Sequence, residues 1–431
     1  MDKKIVIAAI IVIALIAVAA AALLMLPKDS TDMSSKTDDI RVTIFGNANG
    51  DDVIDEKDKK IIEKIAADDI KDWKSKYMYA DANQDGKITS ADADVVQKYI
   101  DRKPTTLYYK DYFGTIAHVP YPIGNKVGVD HPYPAFIMAA AGVYDRLVAV
   151  DDASPMYYDD SVLPGLSKMK IIGSSTKITL EQVAAAGVDA FMIYSNWPGH
   201  CYLYDEAEKS GLANRIAFIS VDIQQLDGAS GTLMIGALFN TSDSVSKSLD
   251  YASKIDKIKD KLDGMDVAKK TVIFDYIAKW GSDYYQYIAG GAANIVSKKA
   301  VKFTAAYENA GNIMVDEETL VAASKGVPII IQFQTPSGVE RTNMDAYLKE
   351  RIQSMLTKTD AYADKEIYAI DSDIINGVSG AYFGAYLTAA MLYDSVDYDD
   401  AVKDLEYFLK NFLPSKVNSS KGYAYTNKEL S

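Results

Sequence analysis

Cysteine and histidine are almost missing from this chain of 431 residues. With Cys201 as the only cysteine, no intrachain disulfide can staple the fold, and the redox compartment cannot be read from cysteine pairing. A lipid-modified N-terminal cysteine is excluded for the same reason. The three histidines are His118, His131 and His200. A closed transition-metal site wants three or four ligands, and no histidine follows residue 200, so a naked zinc or manganese site is disfavoured. No G-x-S-x-G, H-E-x-x-H or P-loop word occurs, which leaves three common catalytic chemistries without a signature. Basic residues are in deficit, 46 Lys and Arg against 60 Asp and Glu, and the formal net charge of −14 argues against nucleic acid and against polybasic lipid binding.

What is present begins with Ile5 to Leu26, an unbroken apolar run preceded by Lys3 and Lys4. A signal-peptide core needs only ~7–15 residues, whereas a membrane span needs about 20. The run therefore predicts an uncleaved transmembrane helix over 5–26, with the lysines inside and the rest outside. Cleavage within Ala17 to Ala22 would instead release the chain; both routes make the working parts extracytoplasmic. Residues 28–40 are polar and aperiodic, a tether.

One pattern then occurs twice. Asn47, Asn49, Asp51, Val53, Asp55 and Asp58 stand at positions 1, 3, 5, 7, 9 and 12 of one loop, and Asp81, Asn83, Asp85, Lys87, Thr89 and Asp92 at those of a second. Side-chain oxygens at five of these positions and a backbone carbonyl at position 7 match a calcium loop, because calcium takes hard oxygens converging from a tight turn. Aspartate rather than glutamate at position 12, with one helix after each loop, resembles a type I dockerin over residues 41–103. The resemblance implies Ca2+ binding and a cohesin partner. Glu56-Lys57 and Ser90-Ala91 fall where dockerins vary their partner surface, and a dockerin packed on its own chain is the alternative. Gly86 fits the sharp turn of the second loop. In the first, Asp52 stands at that glycine position, so a strained left-handed aspartate and weaker calcium binding are expected there.

From Lys170 to Tyr194 the chain reads strand, turn, helix, turn, strand. Thr179 caps a short helix, Gly187 stops it, and Ala190 to Ile193 is a buried strand. So short a crossover predicts a parallel sheet with ligands beyond the strand ends near Ile172 and Ile193. The order glycine, Leu180-Glu181, small helix, Gly187-Val-Asp189 and apolar strand resembles the cobalamin, ferric-siderophore and haem solute-binding proteins of ABC importers. Asp111, Gly114, Val119 and Pro120 are similar to that family's opening word, and Gly290-Gly291-Ala-Ala-Asn294 to a later one.

Periodicity supports the same architecture. Val245, Leu249, Ala252, Ile255, Ile258 and Leu262 recur at helical spacing after Thr241, predicting a long amphipathic helix over 241–264, about 33 Å if it runs 22 residues. In the family such a helix is a spine between two lobes. The expected chain is thus α/β: two parallel-sheet lobes, 105–240 and 268–431, joined by that spine and preceded by a small all-α dockerin and the membrane helix. Gln332 and Gln334 make an unusually polar strand exit.

Thirty tyrosines are many, and several fall at predicted strand exits. Tyr133, Tyr157, Tyr158, Trp197, His200, Tyr202, Tyr276, Trp280, Tyr284 and Arg341 are the candidate ligand contacts, flat faces with polar tips for a bulky chelate. Glu181 and Glu318 open helices in equivalent places of the two lobes. The resemblance implies that they pair with arginines of an importer permease; a helix-dipole role is the alternative. The expected function is capture of an iron chelate, haem or cobalamin for an ABC importer, without catalysis or catalytic cofactor. A dockerin-bearing polysaccharide-active surface enzyme and an adhesion protein are the other two readings.

Overall fold

The computed structural model describes residues 40–196, 202–277, 285–287, 291–303, 313–335, 340–375, 377–417 and 419–430. The expected anchor at 5–26 and nearly all of the tether lie outside them. Among the described residues no helix is long and apolar enough to cross a membrane.

Each calcium-loop sequence runs into a helix, α1 (Glu56–Ala66) and α2 (Ser90–Ile100). The aspartate at position 12 does local work in both. Asp58 accepts from the backbone N–H of Asn49 and Asp55, and Asp92 from those of Asn83 and Thr89, so each closes a capping box on its own helix. A small core of Ala48, Ile62, Ile65, Ala82, Ala93 and Val96 lies between the helices. The module does not stand alone, however. Val42, Ile44 and Tyr99 belong to the large core of the rest of the chain, and Ile44 makes a β-bridge to Tyr109. Tyr99 stacks on Tyr121 at 5.3 Å, and its hydroxyl donates to the Ala237 carbonyl at 2.8 Å.

An antiparallel hairpin, β1 (Thr105–Lys110) and β2 (Ile116–Tyr121), leads into the first lobe. There β3 (Val127–Val129), β4 (Leu147–Val150), β5 (Lys170–Ile171), β6 (Ala190–Ile193) and β7 (Ala217–Ser220) form an all-parallel sheet in the order β5-β4-β3-β6-β7. Strands β6 and β7 are buried throughout, as a sheet covered by helices on both faces requires. Strand order reverses between β3 and β6. The Lys170–Tyr194 unit therefore spans the sheet: its first strand is a two-residue edge, and only its second, ending at Ile193, reaches the reversal.

Helix α3 (Pro132–Ala140) follows β3, α4 (Leu180–Ala186) precedes β6, and α5 (Tyr202–Ser210) and α6 (Ser230–Phe239) flank β7. The spine helix α7 (Ser242–Asp263) starts on a Thr241 N-cap as expected. Its buried stripe differs in the first half, where Ser244, Ser248 and Tyr251 face inward while Val245 and Leu249 are only half-buried. The cause is a close helix crossing. A Cβ on Gly236 of α6 would sit 2.1 Å from the Ser248 hydroxyl, and Ser244 Oγ donates to the Gly236 carbonyl at 2.9 Å, so only small residues fit. From Ala252 to Leu262 the expected apolar positions are the buried ones.

The second lobe is built on β8 (Lys270–Ile277), β12 (Ile329–Phe333) and β13 (Ile367–Asp371), which run parallel, with β10 (Val301–Phe303) parallel to the start of β8. The purely parallel sheet expected here needs correction. Strands β9 (Tyr285–Tyr287), β11 (Ile313–Val315) and β14 (Ala424–Tyr425) pair antiparallel, making, among the described residues, a mixed sheet of seven strands. Helices α8 (Gly291–Lys299), α9 (Glu317–Ala323), α10 (Met344–Met355), α11 (Ala381–Leu392) and α12 (Tyr398–Asn411) are the longer helices described in this lobe. Helix α11 is buried along its whole length.

Tyr251 pins the halves together. Its hydroxyl donates to the Ser379 carbonyl at 2.9 Å and accepts from Gln225 Nε2, while Tyr382 donates to the Leu226 carbonyl across the same joint.

Candidate functional site

The strand-order reversal between β3 and β6 opens a crevice at the carboxyl ends of both strands, where ligands of open α/β sheets bind. Asp130, just past β3, accepts from the backbone N–H of Tyr194, just past β6, at 2.8 Å and so fixes the two exits together. His131 caps α3, its Nδ1 accepting from the Tyr133 N–H, and its ring stacks on Tyr194 at 4.6 Å while Tyr133 meets both edge-on. The imidazole is thus part of an aromatic wall. The Tyr194 hydroxyl accepts from Gln224 Nε2 at 3.0 Å, and burial pushes that phenol up to about 12.

The second lobe closes the other side. Tyr276, Asn294, Gln332, Gln334, Ser372 and Asp373 join Tyr133, Tyr194 and Gln224 around a cavity of about 240 Å³. Gln334 Nε2 donates to Asp373 Oδ1 at 2.8 Å, and Asp373 takes its own N–H to Asp371. Tyr133, Tyr157, Tyr158 and Tyr276 all feel the Asp373 charge, and burial raises each phenol above its ordinary value. Four of the tyrosines expected from the sequence are therefore brought together across the lobes. They are not equivalent: Tyr157 is exposed, whereas Tyr158 is buried edge-on against Phe136.

Arg341 is near this group but committed elsewhere. It forms an ion pair with the wholly buried Asp371, and its guanidinium lies over the Tyr423 ring at 4.6 Å. Tyr202 is the first residue of α5 and is not among the described residues that line the cavity. Trp197, His200, Trp280 and Tyr284 lie outside the described residues. Tyr194, Gln224, Ser372 and Asp373 were not anticipated as contacts; they sit on loops from separate strands that only the topology unites. Glu181 and Glu318 are both exposed in the first turns of α4 and α9, and the Glu181 carboxyl is held below its usual range by its own backbone N–H and by Thr179.

In the calcium loops the opening side chains of both are poised alike. The Oδ1 atoms of Asn47 and Asp81 are buried without a hydrogen-bond partner, a need that an ion would meet. Asn47 Nδ2 donates to the carbonyls of Val42 and Asp51, which fixes the amide with its oxygen inward. Among the described residues no three His, Cys, Asp or Glu side chains already converge as a cage. Amide, hydroxyl and carbonyl oxygens thus make up part of the donor set, and the residues fit calcium. The strain expected at Asp52 needs correction. Gly50 at position 4 takes the left-handed turn, φ +71°, and Asp52 is not among the positive-φ residues; in the second loop Gln84 and Gly86 both are. Asp52 instead receives hydrogen bonds from Arg41.

A wider groove of about 710 Å³ lies between this first loop, the ends of β1 and β7, and the Asp227–Gly231 stretch. Its walls carry the ion pair of Arg41 with Asp52, and Lys259, which donates to the backbone carbonyl of Asp227.

Residues 46–101 match the family described as the dockerin type I domain. This module is a type I dockerin. The rest of the chain is similar in fold to solved periplasmic binding proteins. A periplasmic solute binding protein from Veillonella parvula is 14% identical, with 76% of this chain and 96% of that one covered and a TM-score of 0.53. The TroA-like periplasmic binding protein FepB of the same organism is 16% identical, covers 74% and 98%, and has a TM-score of 0.54. The molybdate periplasmic binding protein MolA of Haemophilus influenzae is 15% identical, covers 71% and 97%, and reaches 0.50. At such identity the likeness establishes the fold of the region beyond the dockerin, and these neighbours are binding proteins rather than enzymes. No curated protein matches the chain.

Proposed function

We propose that this chain is an extracytoplasmic solute-binding protein, held at the membrane by residues 5–26, that captures a metal chelate such as a ferric siderophore, haem or cobalamin and passes it to an ABC importer. One observation carries the reading. The exits of β3 and β6 meet the second lobe around a cavity walled by tyrosines and carboxamides. Tyr251, Tyr382 and the spine stitch the lobes, so affinity rests on a largely preformed cleft and needs no wide closure.

Exposed Glu181 and Glu318 would meet the permease, one from each lobe, where carboxylates set register and encounter rate. The dockerin would bind Ca2+ in both loops and present exposed Glu56, Lys57, Ser90 and Ala91 to a cohesin, assembling the receptor on a surface. Absorbance titration of the full chain with ferric siderophores, haem and cobalamin tests the reading. Saturable 1:1 binding of one of them is expected, with the cargo recovered chemically unchanged; no binding by any member, or turnover of a polysaccharide, would overturn it.

A further inference from the structure

Three large apolar side chains crowd the turn between β1 and β2. Tyr112, Phe113 and Ile116 are 41%, 53% and 49% exposed, and the rings of Tyr112 and Phe113 meet edge-on at 5.0 Å. The turn is held stiff beneath them. Asp111 accepts at Oδ1 from the backbone N–H of Phe113 and of Thr115, and the Tyr112 N–H donates to the Ser220 carbonyl at the end of β7. From Tyr112 to Ala117 no residue is an acid, a lysine or an arginine, in a chain of which a quarter is charged. An exposed, stiffened and uncharged patch of this kind marks a contact surface.

The chain enters the fold at the same end of the hairpin. Ile44 bridges Tyr109 antiparallel, the Lys110 N–H donates to the Thr43 carbonyl, and the Phe45 N–H donates to the Tyr108 carbonyl, so residues 43–45 run beside β1. Followed backward, that register leads Arg41 toward Tyr112 and the turn, and Ile40 lines the same groove as Tyr112. Only 13 residues, 27–39, separate Ile40 from the apolar run at 5–26. Fully extended they span about 45 Å. Resting on the reading of that run as an anchor, we infer that Tyr112, Phe113 and Ile116 form a second membrane contact, seated in the interfacial layer of the bilayer, which fixes the side of the protein that faces the lipid. Aromatic and aliphatic side chains without a neighbouring charge suit that layer. The anchor keeps the tip at high local concentration beside the bilayer, so a contact of three side chains suffices. A net charge of −14 gives anionic headgroups no attraction, and the contact is therefore apolar and insensitive to salt.

Tryptophan fluorescence of the full chain in phosphatidylcholine nanodiscs, with plain or brominated acyl chains, tests this. Phe113→Trp places a reporter at the tip, and Tyr362→Trp, at an exposed position of the second lobe, is the control. After subtraction of the parent's emission, brominated lipid is expected to quench the Phe113→Trp reporter at low and high salt and to leave the Tyr362→Trp reporter unchanged. Adding Ile116→Asp to the Phe113→Trp chain should abolish the quenching, because a carboxylate resists entry into the lipid. An unquenched tip reporter, as a protein partner for these residues would give, overturns the membrane contact while the anchor stands. Equal quenching of both reporters, or quenching that survives Ile116→Asp, overturns it likewise. A chain that does not co-purify with the nanodiscs would overturn the anchor and the contact together.

Discussion

Arg41 and Asp256 lie 215 positions apart and are joined by two hydrogen bonds of 2.7 and 2.8 Å, while the other edge of the same guanidinium holds Asp52 in the first calcium loop. One side chain therefore ties the dockerin to the spine helix. It also accounts for the departure of Asp52 from the glycine of the loop pattern: the position serves a tether, and the turn is moved to Gly50.

With Val42, Ile44 and Tyr99 in the common core, dockerin and lobes should unfold as one cooperative unit. Calcium binds only the folded loops, so its addition should raise the midpoint of that single transition. Arg41→Ala should lower stability by about 1 kcal/mol, modest because the carboxylates are part-exposed. Urea unfolding with and without calcium reads both effects. A separate dockerin transition, with calcium moving it alone, would contradict the shared core.

Calorimetry should show two calcium events. Asp85→Ala is expected to remove one and Asn47→Ala the other, since Asn47 directs its unpartnered oxygen into the first loop. Two events persisting in either variant would refute that loop's assignment.

Tyr251→Phe deletes the hydroxyl that donates to the Ser379 carbonyl and accepts from Gln225. The carbonyl is left unsatisfied in a buried joint, a cost of about 1–3 kcal/mol. A shift in the urea midpoint without a change in slope is expected; an unchanged midpoint would show that the pin is dispensable.

The loops and the spine were legible because their physics is local. Calcium demands oxygens at fixed spacing, and Thr241 marks its helix start by capping chemistry. The inward turn of Ser244 and Ser248 was not legible, since it depends on Gly236 of another helix. Strands β9, β11 and β14 are two or three residues long, too short for any period to show, and so the mixed character of the second sheet was missed. The site itself was half visible. Gln332 and Gln334 announced themselves as polar residues at a strand exit, whereas Gln224 and Asp373 line one cavity only because the two lobes pack against each other.

Asp275 offers a pH test. It is wholly buried in β8, and desolvation pushes its carboxyl up to about 8, offset only in part by the Tyr276 backbone and Arg351. An unfolded aspartate releases its proton near pH 4, so between about pH 4 and 8 the folded chain holds one proton more and stability falls as pH rises. Asp275→Asn removes this dependence. Relative to the parent, the variant should gain stability from pH 5 to pH 8 in paired urea titrations; a variant-minus-parent difference that stays flat or falls over that range would contradict the assignment.

The central claim is that a preformed crevice between two lobes holds a chelate without altering it. Isothermal titration of the full chain with ferrioxamine B, compared with Tyr133→Ala and Tyr276→Ala, tests it most directly, because these rings face the cavity from opposite lobes. One saturable site, weakened in both variants, is the predicted result. Binding that survives both substitutions unchanged would contradict it.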